Sequence, residues 1–252
     1  MNLQALPAAA VLALFCPLAA LAGQRVDVEI LDRTSGRVLP VYWHEGERHV
    51  AGEPGHEYEI RIRNRGHGRV LAVTSVDGIN VITGRTASPD QSGYVVDPYG
   101  RLAIDGWRKS MDEVAAFYFT ALPDSYAART GRPDNVGVIG VALFREQVHY
   151  PAVLGRESAA MPEEAPAAEQ KSADASGRYR DEERLGTGHG QRRDSGATYT
   201  QFERASVDPE EIIRIYYDSR RNLVARGVIP RPPYRFARRS PDPFPQGFVP
   251  DP

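Results

Sequence analysis

Between residues 25 and 146 apolar and polar residues alternate in short runs. Val26, Val28 and Ile30 are interleaved with Asp27, Glu29 and Asp32, and Tyr58, Ile60 and Ile62 with Glu59, Arg61 and Arg63. A period of two sends successive side chains to opposite faces, so each run predicts a strand with one face in a core and one in water. Residues 70–76 and 79–83 flank Asp77-Gly78, a pair that favours the positive φ angles of a two-residue hairpin turn. Further strands are predicted over 38–43, 101–107, 114–120 and 136–144. Eight short strands punctuated by turn signals predict a mainly β fold, an antiparallel β-sandwich of immunoglobulin-like or jelly-roll-like type.

Two stretches mix signals. Ser110 with Glu113 has the form of a helix capping box, yet the residues after it are bulky and aromatic and favour a strand. Residues 125–131 predict one or two helical turns opened by Ser125 and stopped by Gly131 and Pro133. Gly137 and Gly140 interrupt an apolar strand, which signals a bulge or a close neighbour.

Beyond the predicted sandwich (23–150) the composition shifts to Ala, Glu, Pro, Ser, Gly and Arg with almost no large apolar residue. Such a segment buries too little surface to offset its ordering entropy, so 151–196 is read as a disordered linker, with the GTGHG run at 186–190 as a flexible hinge. Residues 198–204 and 211–217 read as strands and 219–227 as a short helical turn. As 197–229 is marginal alone, this segment is expected to dock on the sandwich. From Pro230 onward eight of 23 residues are proline, interleaved with Tyr234, Phe236, Phe244, Phe248 and four arginines, the composition of an extended, polyproline-like tail.

Residues 1–22 form an apolar stretch ending in Ala20-Leu21-Ala22, the layout of a secretory signal peptide. It is too short and too broken by Pro7 and Pro17 to be a bilayer span, so no transmembrane segment is expected after cleavage, and a periplasmic or secreted address follows. The single cysteine, Cys16, lies inside this leader, preceded by Phe15 rather than a small residue. The mature chain is therefore expected to carry neither disulfide nor lipid, and zinc–thiolate sites and cysteine nucleophiles are excluded. The net charge of −2 gives no argument for nucleic acid. Basic character is confined to the end, at +5 over 220–252.

Whole phrases, namely 77–81 (DGINV), 106–110 (GWRKS), 135–141 (NVGVIGV) and 222–230 (NLVARGVIP), resemble a family of uncharacterised exported proteins of proteobacteria. The resemblance covers most of the mature chain except the linker. It implies an exported address and a β fold, and it supplies no activity, cofactor or site residue.

Four of the six histidines, His44, His49, His56 and His67, fall within 24 residues. The run HEGERH at 44–49 resembles the zinc-protease helix motif, but its histidines are five apart rather than four. On one strand that spacing puts them on opposite faces, and the neighbouring glycines predict a loop with solvent-facing histidines. His44, His49 and His56 are thus a weak metal alternative to a protein without cofactor. No Gly-x-Ser-x-Gly elbow occurs, and GTGHG lacks the strand and helix of a phosphate-cradling loop. Trp107-Arg108-Lys109 is a candidate surface, since a tryptophan beside two cations suits a sugar, carboxylate or peptide. Core packing of Trp107 is the commoner use of such a residue. The tail aromatics Tyr234, Phe236, Phe244 and Phe248 are candidates for docking an envelope protein partner.

Together these features point to a non-catalytic envelope binding or assembly module, with a carbohydrate- or metal-binding sandwich, or a hydrolase with a scattered site, as alternatives. The mature protein is expected to begin at or near Gly23 without an acyl chain. Intact mass of the periplasmic fraction tests this, and a mass that retains residues 1–22 refutes it.

Overall fold

The computed structural model describes residues 25–148 and 184–231. Among the described residues, fourteen strands form two seven-stranded sheets packed face to face. The first sheet contains β1 (Val26–Asp32), β2 (Arg37–Val38), β5 (Glu57–Asn64), β9 (Arg101–Ile104), β10 (Gly106–Arg108), β11 (Glu113–Ala121) and β13 (Leu185–Asp194). Its main path runs β10-β11-β5-β1-β2, with β13 on β11 and β9 on β5. The second contains β3 (Tyr42–His44), β4 (Glu47–Gly52), β6 (Val70–Val76), β7 (Ile79–Asn80), β8 (Tyr94–Val96), β12 (Val138–Arg145) and β14 (Glu211–Ser219). Its order is β3-β4-β14-β12-β6-β7, with β8 also on β6. Every pairing is antiparallel except β14 with β4. Two short helices, α1 (Tyr126–Arg129) and α2 (Arg220–Ala225), start at Ser125 and Ser219, whose side chains accept amide bonds from Ala128 and Asn222. No helix among the described residues is long and apolar enough to cross a membrane.

The alternating runs do what their period requires. Val26, Val28 and Ile30 of β1 and Tyr58, Ile60 and Ile62 of β5 turn into the core and Glu29, Arg61 and Arg63 face out, whereas Asp32 is buried at 4%. The Asp77-Gly78 turn has φ of 52° and 72°, the geometry of a two-residue hairpin. The expected strand over 38–43 is broken at Pro40, which cannot donate to a ladder. There the chain leaves β2 in one sheet for β3 in the other. Ser110 caps a turn rather than a helix, accepting from the amides of Asp112 and Glu113 just before β11. Residues 198–204 are not a strand. They form a strap over the outside of the second sheet, where Phe202 packs on Leu71, Val73, Ala142 and Phe144, and Arg204 lies 4.2 Å over the Phe144 ring.

The clearest correction concerns 185–194, read as the end of a linker with a hinge. It is β13, paired with β11 along its length. Its glycines alternate and so share one face of the strand. A Cβ on Gly186 would lie 2.6 Å from Ser125 Cβ, and one on Gly188 would lie 2.2 Å from the Tyr118 ring that covers it. Glycine is used there for close approach, not flexibility.

β13 and β14 also carry the polar contact that joins the sheets. Asp77, buried on the second sheet, accepts from the Tyr217 hydroxyl at 2.5 Å, the Gly137 amide at 2.9 Å and the Thr187 amide at 2.8 Å. Thr187 Oγ1 lies 2.7 Å from the Tyr217 hydroxyl and 2.6 Å from that of Tyr58. With Asp77 ionised, every hydroxyl can donate in one direction along Tyr58, Thr187, Tyr217 and Asp77, which satisfies all four groups. Burial pushes the Asp77 carboxyl up to about 6, against the bonds from Tyr217, Gly137 and Thr187 that lower it.

A folded-state pKa raised from 3.8 to about 6 contributes stability that is fully present below pH 3.8 and is lost as pH rises through 6. The shift corresponds to roughly 3 kcal/mol at most. Urea unfolding from pH 4 to 7 should show this falling contribution. Asp77→Asn, which does not titrate, should flatten it, and an unchanged slope refutes the assignment.

Candidate functional site

At one end of the sandwich the sheets part around a cleft of about 500 Å³. The start of β1, the loop between β5 and β6, the end of β12 and the start of β14 line it. Its floor is apolar, with Val26, Val70 and Leu143 buried in their strands. Asn64 fixes one wall: its Nδ2 donates to the carbonyls of Gly68 at 2.8 Å and Asp97 at 2.9 Å, and its Oδ1 accepts from the Gly66 amide at 2.8 Å. Tyr99, held at φ 57°, donates its amide to Gly66 at 3.3 Å and meets the His67 ring through its hydroxyl. A non-glycine residue in the left-handed region costs energy and persists where its surroundings fix it. Arg69 donates from Nε and Nη2 to Glu146, and Arg145 pairs with Glu210 at 2.8 Å. The rim charges thus neutralise one another and shape the walls.

Beside the cleft, no described residue pairs with the outer edge at the start of β1. The Arg65 amide donates to Arg25 and the Arg33 amide to Glu57, so odd-numbered residues of β1 bond β5 and even-numbered ones face away. β2 pairs with Leu31 and Asp32, and Leu39 donates to Ile30. The outward groups of Val26 and Val28 lie beyond that reach.

The candidates from sequence are scattered. Trp107 is a core residue, 3% exposed. Its indole donates to the Gly188 carbonyl at 3.1 Å and sits edge-on to Phe117 at 5.2 Å. Arg108 is half-buried rather than turned to solvent, bonded to the Tyr94 hydroxyl at 3.0 Å and to the Ser195 carbonyl, and Lys109 is exposed. Trp107 thus turns into the core, away from Lys109 at the surface. Tyr234, Phe236, Phe244 and Phe248 lie outside the described residues.

The HEGERH stretch is a hairpin, not a loop. β3 and β4 meet at Glu45-Gly46, with φ of 51° and 82°. Because the turn reverses the chain, His44, Glu47 and His49 share one face, and the two histidine rings come within 6.3 Å. Nor do both histidines face solvent: His49 is 1% exposed, stacked 5.5 Å from Tyr216, and neither ring nitrogen makes a hydrogen bond among the described residues. His56 lies on the other sheet, 2.7 Å from Asp32. Burial raises the Asp32 carboxyl, but the bonds from His56 and Ser35 outweigh it and hold it below its usual value. No group of three or more His, Cys, Asp or Glu side chains among the described residues is placed to hold a metal ion. The three histidines do not form a centre.

Sequence reasoning missed Trp43, the exposed tryptophan, at 64%. It stands on edge strand β3, with Arg48 over its ring at 5.2 Å. A signal was present in the Glu45-Gly46 pair, which permits the turn that sets Trp43 opposite Arg48. Compared with known proteins, the chain matches no family model, no curated protein and no solved structure.

Burial, and next the Arg226 guanidinium, push the His49 pKa below 6.5, while Glu47 at 3.6 Å opposes them. A depressed folded-state pKa gives stability that is present above pH 6.5 and is lost as pH falls through the folded value. Replacing the ring by His49→Phe should reduce the loss of unfolding free energy between pH 7 and 5. An unchanged loss refutes the role of His49.

Proposed function

We propose that this protein is a non-catalytic binding or assembly module of the cell envelope, which receives its ligand or partner at the cleft end of the sandwich. The carrying observation is the cleft itself. Its volume of about 500 Å³ falls in the range of roughly 300–1,000 Å³ usual for ligand sites. Asn64 fixes its walls and its floor is apolar, features that lower the ordering cost of binding. Arg69 and Arg145 are spent on Glu146 and Glu210, which suits shaping a site better than driving a reaction. The start of β1 beside the cleft, its outer edge unpaired among the described residues, offers main-chain groups to an extended segment. The envelope address rests on the leader and on the absence of cysteine from the chain after it.

A photo-crosslinking residue placed at Val148, exposed at the cleft, tests the reading. Glu53, exposed before the opposite end of β5, serves as control. In intact envelopes a discrete adduct is expected from position 148 and not from position 53. No adduct, or the same adducts from both positions, refutes the proposal.

A further inference from the structure

We propose that the Trp43 side of the β3–β4 hairpin binds an acidic sugar, stacking the pyranose ring on the indole and pairing its carboxylate with Arg48. This site is separate from the cleft above and stands or falls independently of it. The two tryptophans have opposite surroundings, Trp107 at 3% and Trp43 at 64% exposure. Placing the largest apolar side chain in water on an edge strand gains nothing for folding. Around it Val41 and Ile212 are also exposed, at 40% and 39%, and exposed apolar surface gathered in one place marks binding.

The indole is held by construction. The register of the hairpin sets Trp43 opposite Arg48, and the guanidinium lies over the ring, 5.2 Å from its centroid. A shallow cleft of about 220 Å³ opens between the hairpin and β14, lined by Trp43, Gly46, Arg48 and Arg214 with Glu47 and Glu211. Glu47 turns to the other face of the hairpin from Trp43 and Arg48, where it lies 3.6 Å from His49 Nε2. Among the described residues Arg48 has the indole, rather than a carboxylate, as its partner. A pyranose matches this arrangement because one face of its ring is a sheet of C–H groups that packs on an aromatic plane. A ring carboxylate then meets the guanidinium fork, which donates to both oxygens at once. Neutral sugars would gain the stacking without the ion pair.

Tryptophan emission reads the site directly, since Trp43 is the solvent-exposed fluorophore and Trp107 the buried one. The full chain is titrated with trigalacturonate, and with cellotriose as the neutral control. The expected result is a saturable change with trigalacturonate that Trp43→Ala abolishes. Arg48→Gln should weaken it by about tenfold, the loss of one charge-assisted bond. Thermal unfolding of both variants should remain cooperative. No saturable change, equal affinity for cellotriose, or binding that survives Trp43→Ala each overturns the proposal. So does loss of an envelope protein crosslink in Trp43→Ala with no response to trigalacturonate, which would make the face a protein contact instead.

Discussion

The structure depends on one buried carboxylate. Asp77 sits at a hairpin turn of the second sheet, and its partners are two backbone amides and a phenol rather than a cation. One of those amides belongs to Thr187 on the first sheet, and the hydroxyl of Thr187 lies between the phenols of Tyr217 and Tyr58. A buried charge left without donors would be strongly destabilising, so the network requires the sheets to meet in one alignment. Asp218 repeats the device nearby, accepting the Leu185 amide at 3.3 Å. The first half of the β13 edge is thereby closed by two carboxylates from the opposite sheet, a means of protecting an edge strand.

The late strands complete what the early ones leave open. β14 enters the second sheet between β12 and β4, and β13 takes the flank of β11. Leu185 of β13 and Ile213, Ile215 and Tyr217 of β14 belong to the same core as Ile30, Ile60 and Phe117, so both late strands are part of the sandwich. The cleft follows from this closure, because its apolar floor is shared by β1, β6 and β12 while the start of β14 forms one wall. The Trp43 side of the hairpin depends on the same strand, since β4 is held against β14 in parallel register.

Local pattern determined a good deal by itself. The period-two runs of β1 and β5, the Asp77-Gly78 turn and the Ser125 cap are fixed by contacts within a few residues, and the mainly β class follows from them. Where identity depends on a distant neighbour, the same residues read differently. Gly186, Gly188 and Gly190 carry the composition of a hinge, and only Tyr118 and Ser125 across the sheet make their missing side chains a packing requirement. Trp107 and Trp43 are chemically alike. The first is buried by Phe117 and the Gly188 carbonyl, and the second is left in water on β3, an outermost one of the described strands of its sheet. His44 and His49 are five apart in sequence, yet a chain reversal places them on one face. Side-chain alternation and turn preference are local properties, so the chain alone determined that strands form and where several turn. Burial, charge pairing and the closing of edges arise between residues far apart in sequence, so only the tertiary structure decided which tryptophan is exposed, which carboxylate joins the sheets and where a cleft remains.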